Sequence, residues 1–315
     1  MAESQGGAKS ESTTAVVAAV VGNLLIGIIK FIAAALTGSS AMIAEGIHSI
    51  VDTGNGLLVL FGMRESRVPA DDEHPFGHGK ELYFWTLIVA ISIFGIGGGM
   101  SVYEGVVHIL QPVRLEDPTA AYIVLAISAL VEGSSFALAL RQFNKARGTT
   151  GMARFVRITK DPSLFTVVFE DSAALLGLAI AFLGVFFGHL LGNPYFDGGA
   201  SIAIGGLLMV VAWGLARESK GLLIGEGVEP DMLAKMRSVV DADPAVRRVG
   251  VILTMYLGPA DLLVTLDVHF APGIPAESVD EAIDRIEAGL KSVCPEVTRV
   301  YVEASSLREV ERQAV

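Results

Sequence analysis

The sequence predicts an α-helical membrane protein: six transmembrane helices followed by a C-terminal α+β domain in the cytoplasm. Three observations carry this: six long apolar stretches, basic residues gathered in alternate links between them, and soluble-protein patterning after Arg217. Of the 315 residues, 52% are hydrophobic, 35 are glycine and 15 are phenylalanine, a composition of the membrane class.

The opening MAESQGGAKSESTT has neither the basic-then-apolar signature of a cleaved signal nor the Arg-rich pattern of a transit peptide. Residues 1–14 are therefore expected to form a disordered tail. Crossing a bilayer core takes about 20 residues at about 1.5 Å each. Stretches of that kind run near Ala15–Leu36, Ala41–Met63, Leu82–Leu110, Thr119–Phe143, Leu164–Leu190 and Gly198–Arg217, which sets a membrane domain at 15–217. Only TGSS joins the first two stretches, so they must pair as tight antiparallel helices; GNPYFD joins the last two similarly. Arg64, Arg67 and Lys80 lie between spans two and three, and Arg141, Lys145, Arg147, Arg154, Arg157 and Lys160 between four and five, against Arg114 alone on the opposite side. Basic loops stay in the cytoplasm, which places both termini there.

Beyond Arg217, a helix near Pro230–Asp241 precedes strands near Arg247–Leu257 and Asp261–Phe270. The second strand alternates Leu262, Val264, Leu266, Val268 and Phe270 against polar partners. GIPAESVDEAIDRIEAGLKSV reads as an amphipathic helix and Val297–Glu303 as a third strand. This order fits a two-layer domain over 218–306, with a tail at 307–315.

The net charge of -11 argues against a nucleic-acid partner, which needs clustered Lys and Arg. A single cysteine, Cys294, excludes a disulfide framework or a thiolate-rich metal cluster within the chain and reads as a small half-buried residue. No HExxH pattern appears, which argues against a metallohydrolase; the chain is not expected to be an enzyme.

Charged groups at bilayer depth cost about 2.5–3.5 kcal/mol each on insertion scales, so those present should face a cavity or a partner. The second span carries Glu45, His48 and Asp52 at spacings of three and four, which place them on one helical face. The fifth carries Glu170 and Asp171; neighbours on a helix point about 100° apart, so one of the two aims at the second span. One imidazole and two or three carboxylates between two helices suit Zn2+, with no thiolate for softer ions. The bland alternative is a buried His–Asp pair that only joins helices. Asn23, Lys30, Glu104, His108 and Glu132 also lie within spans. Lys30 is read as snorkelling or neutralising a carboxylate, and Glu132 as deep enough to carry a proton.

These motifs together resemble the cation diffusion facilitator family over the whole chain: GSSAMIAEGIHSIVD in the second span, DDEHPFGHGKELYFW after it and the paired acids in the fifth. YEGVVHILQP and DPSLFTVVFEDSAALLG look most like the branch that holds the mitochondrial zinc transporter of animals and its bacterial relatives. The resemblance implies a homodimer in the lipid bilayer that exchanges Zn2+ for H+ by alternating access, with His48, Asp52 and Asp171 at the transport site. Many members carry a His or Asp where this chain has Val167, so Glu170, Glu45 or water completes the shell. Asp71, His74 and His78 match a second zinc position, shared if their loop turns helically. The C-terminal part looks like the family's metallochaperone-like (ferredoxin-like) domain. Its one histidine, His269, reads as an exposed strand residue, so this domain is expected to dimerise without a two-metal cluster. Transport of Fe2+, Mn2+, Co2+ or Cd2+, or a non-transporting zinc sensor or scaffold, are the competing readings. The absence of a transit peptide favours a bacterial inner membrane.

Overall fold

A computed structural model describes residues 22–112 and 118–305; the expected tails, residues 15–21 of the first span and Arg114 lie outside them. The helices are α1 (Gly22–Thr37), α2 (Ser40–Glu65), α3 (Glu81–Leu110), α4 (Thr119–Arg147), the short α5 (Met152–Ile158), α6 (Pro162–Leu191) and α7 (Tyr195–Ile224). Of these, α3, α4, α6 and α7 are long and apolar enough to cross a membrane, and α1 is a shorter apolar helix over its described part. Span-length α2 has 26 residues, but its buried Glu45, His48, Ser49, Thr53 and Asn55 dilute its apolarity. A membrane-spanning helical domain is therefore present. Its last helix continues seven residues past Arg217, to Ile224.

The chain divides into two compact units, the first taking residues 22–64, 82–152 and 162–220 among those described. Here α1 and α2 reverse across Gly38, whose φ of 69° favours glycine, while its N–H closes α1 on Ala34 O at 2.8 Å. Close packing between α3 and α7 follows from small residues. A Cβ added at Gly105 would lie 2.6 Å from Gly198 O, and one at Gly205 would lie 2.7 Å from Gly98 O. Midway along α3 the IFGIGG run, Ile93–Gly98, winds as a π-helix, a local widening that its glycines tolerate.

The second unit collects residues 65–81, 153–161 and 221–305 of the described chain. Its elements are α8 (Pro230–Asp241), β1 (Val246–Gly258), β2 (Asp261–Phe270), α9 (Ala276–Val293) and β3 (Val297–Ser305). In the β1-β2-β3 sheet, β1 runs antiparallel and β3 parallel to β2. The right period was legible: Leu262, Val264, Leu266 and Val268 face the core beside Met236 and Val240 of α8 and Ile286 and Leu290 of α9. Cys294 joins this core, more buried than its sequence context suggested, and burial pushes its thiol pKa up. The opposite sheet face leaves Val251, Leu253 and Tyr301 exposed.

His269 corrects an expectation: only 3% of it is exposed. Alternation fails at the end of β2, where Val268 and His269 are both buried. There the pairing with β1 slips between Val246 and Arg248, so inside and outside no longer follow residue parity.

Candidate metal centre

Within the membrane unit, the period of α2 decides which side chains meet. His48 Nδ1 and Asp52 Oδ1, one turn apart, lie 3.4 Å from each other. Both His48 ring nitrogens and Asp52 Oδ1 are buried without a hydrogen-bond partner. Buried polar atoms are nearly always satisfied, so three orphans on one helical turn mark a place where another electrophile belongs.

The acidic pair on α6 divides as the 100° step between neighbours requires. Glu170 Oε1 accepts a hydrogen bond from Asn55 Nδ2 at 3.0 Å, one turn beyond Asp52, and so faces α2. Asp171 Oδ2 accepts from Ser135 Oγ of α4 at 3.1 Å. Both acids act electrostatically on Asp52. A cavity of 270 Å³ between α2, α4 and α6 reaches Glu170 past Val59, Leu60, Met63, Phe143 and Val167.

Glu45 goes elsewhere. Its Oε2 pairs at 2.9 Å with Lys30 Nζ of α1, which also binds Ser49 Oγ at 3.0 Å and Glu132 Oε1 of α4 at 2.7 Å. Lys30 thus neutralises rather than snorkels; its side chain is wholly buried.

The loop residues in the second unit do converge. Among the described residues, the one group of three possible metal ligands within 4.8 Å of one another is Asp71, His74 and His78. A turn builds it without the helical winding on which a shared site was conditioned: His74 N–H donates to Asp71 Oδ1 at 2.6 Å and Gly77 N–H to His74 O at 2.9 Å, with Gly77 at φ 82°. The two imidazole rings stand 4.3 Å apart. The His74 N–H, and then both histidines, hold the exposed Asp71 carboxyl below the usual carboxylate range, so it stays anionic and ready to coordinate in mild acid.

Sequence reasoning missed Asp197. Fully buried in the first turn of α7, it accepts from Ser39 Oγ and Ser40 N at 2.5 Å, Ser40 Oγ at 2.9 Å and Ala41 N at 3.4 Å, capping α2 from another helix. His108 Nε2 lies 3.7 Å away. The available signal was a lone acid inside an apolar stretch beginning at a helix start, which the span boundary at Gly198 cut off.

The family model described as the cation efflux transmembrane domain matches residues 16–224. The chain is 31% identical over 298 residues to the mitochondrial proton-coupled zinc antiporter SLC30A9 of Xenopus laevis, covering 94% of this chain and 53% of that protein. It is 30% identical over 261 residues to metal tolerance protein C4 of Arabidopsis thaliana, covering 82% and 57%. Against the cation-efflux pump FieF of Cronobacter sakazakii the identity is 28% over 281 residues, covering 86% and 87%. The chain thus spans about half the length of the first two relatives.

Proposed function

The chain belongs to the cation efflux family of membrane transporters, also called cation diffusion facilitators, and from that premise we propose that it exports Zn2+ in exchange for protons. The observation that carries this reading is the His48–Asp52 pair, with three buried polar atoms left without partners inside an apolar helix bundle. In this reading six helices span the membrane with both termini in the cytoplasm of a bacterial cell. Zn2+ enters through the cavity beside Val167 and Glu170, and His48, Asp52 and Asp171 bind it. Glu170 serves as the fourth ligand after releasing Asn55. Glu45 leaves the ligand set because Lys30 occupies it. His48, Asp52, Glu170 and Asp171 do not form a group within 4.8 Å of one another as the loop triad does, so in this reading α2 and α6 close on the ion when it binds. Binding needs a neutral imidazole and ionised carboxylates, so protons arriving from the far side drive release. Asp71, His74 and His78 form a separate zinc site at the loop. The open sheet face with Val251, Leu253 and Tyr301 serves a homodimer.

Proteoliposomes holding a zinc dye and a pH dye test the reading. An imposed Zn2+ gradient should move protons the opposite way. Zinc binding without transmembrane flux would instead make the chain a sensor or scaffold, and faster flux of Fe2+, Mn2+, Co2+ or Cd2+ would change the cargo. A second expectation concerns ligand number. Val167 lines the cavity with Glu170 and stands one turn before Asp171. Val167→His should supply an imidazole there, tighten Zn2+ binding at least about tenfold as a further ligand does, and slow turnover. Unchanged affinity by calorimetry would place this position away from the ion.

A further inference from the structure

An ammonium has three N–H donors, and Lys30 uses all of them on Glu45, Ser49 and Glu132. One positive charge therefore faces two carboxylates. The second oxygen of each, Glu45 Oε1 and Glu132 Oε2, is buried without a hydrogen-bond partner. An uncompensated carboxylate in so dry a place is expensive, and the cluster is short by one positive charge. The ion that corrects this must be satisfied by one orphan oxygen, which suits a proton and not a metal cation that requires a shell of ligands.

The two acids differ in access. Glu45 is wholly buried, its free oxygen pressed against Gly177 of α6, whereas the Glu132 side chain keeps 10% of its surface exposed. Glu132 is thus the less enclosed of the two, although its orphan Oε2 is itself buried, and a proton that comes and goes is assigned to it. The charged and titratable groups that bear on it are Lys30 from α1, Glu45 and Asp52 from α2, and Asp171 from α6.

We propose that Glu132, held by Lys30, carries one of the protons exchanged for metal, at a place separate from the metal ligands. This rests on the transport reading above. The link to the ion is short. Ser135, one turn along α4 from Glu132, donates to Asp171, and Ser49, next to His48 in α2, accepts one of the Lys30 N–H groups. The Glu132 charge acts on both Asp52 and Asp171. Arrival of a doubly charged ion at His48 and the two aspartates raises the local potential and expels the proton, leaving carboxylate and H+. Departure of the ion restores the excess negative charge, and the carboxylate takes a proton again.

Glu132→Gln keeps the shape and an acceptor for Lys30 but cannot titrate. In the full-length protein with His74→Ala and His78→Ala in both backgrounds, calorimetry in buffers of different ionisation enthalpy counts protons released per Zn2+ bound. The variant should still bind Zn2+ and release one proton fewer, and its affinity should change about tenfold less per pH unit. An unchanged proton count overturns the proposal while leaving the transport reading intact; failure of the His48-dependent site to bind Zn2+ at all, with Glu132 present, overturns both. Should Glu132→Gln fold poorly, difference infrared spectra of the protein without it decide: Zn2+ should bleach a protonated-carboxyl band, and no such loss would sink the idea.

Discussion

Asp52→Ala and His48→Ala should each abolish zinc flux, with the protein still assembling as the unsubstituted form does. The two side chains are the ligands that α2 supplies, 3.4 Å apart on one turn, and neither has a substitute on that helix, because Glu45 is held by Lys30. Losing an outer-shell partner of a metal site costs about 10–100-fold in affinity or activity, so loss of a direct ligand should exceed about 100-fold. Zn2+ uptake into proteoliposomes measures it, and size-exclusion chromatography checks assembly. Normal flux in either variant would mean that the ion passes elsewhere.

The residues explain which parts of this reading were legible. Apolar length and the position of basic loops announced the helical membrane unit, and period-two alternation announced β2, because burial acts on each side chain through its own spacing. Glu45, His48 and Asp52 were equally visible as one face of one helix. What local spacing could not say is which neighbouring helix each would meet. Glu45 lies three residues from His48 yet turns to a lysine on α1, and Glu170 rather than Asp171 reaches α2. Those partners are set by helix packing among residues 15 to 115 positions apart in the chain, information that a single sequence does not carry. His269 misled for a related reason: strand parity holds only while the register does, and a slip in β1 reverses it. The loop triad was singled out by its resemblance to a family position, its spacing only allowing the three to meet, and the backbone brings them together by a turn and not by a helix.

Asp197→Ala should be the most destabilising single change in the membrane unit outside the metal ligands. The first N–H groups of a helix have no partner within it, and in a membrane no water replaces one. Asp197 satisfies Ser40 N and Ala41 N at the start of α2, and holds the hydroxyls of Ser39 and Ser40 as well. Each buried donor left unpaired costs about 1–3 kcal/mol, so loss of the carboxylate should remove about 3 kcal/mol or more. Thermal unfolding in detergent, followed by tryptophan fluorescence, would report this as a lower midpoint, with Asp197→Asn falling between alanine and the unsubstituted protein because an amide oxygen still accepts. An alanine variant with an unshifted midpoint would mean that Ser39 and Ser201 already secure the start of α2, since Ser201 Oγ donates to Ser40 O at 2.8 Å. The effect reaches function because α2 carries His48 and Asp52: a helix loosened at its first turn presents its ligands in more than one register. Zinc affinity should therefore weaken in parallel with stability, although Asp197 stands in no contact with either ligand.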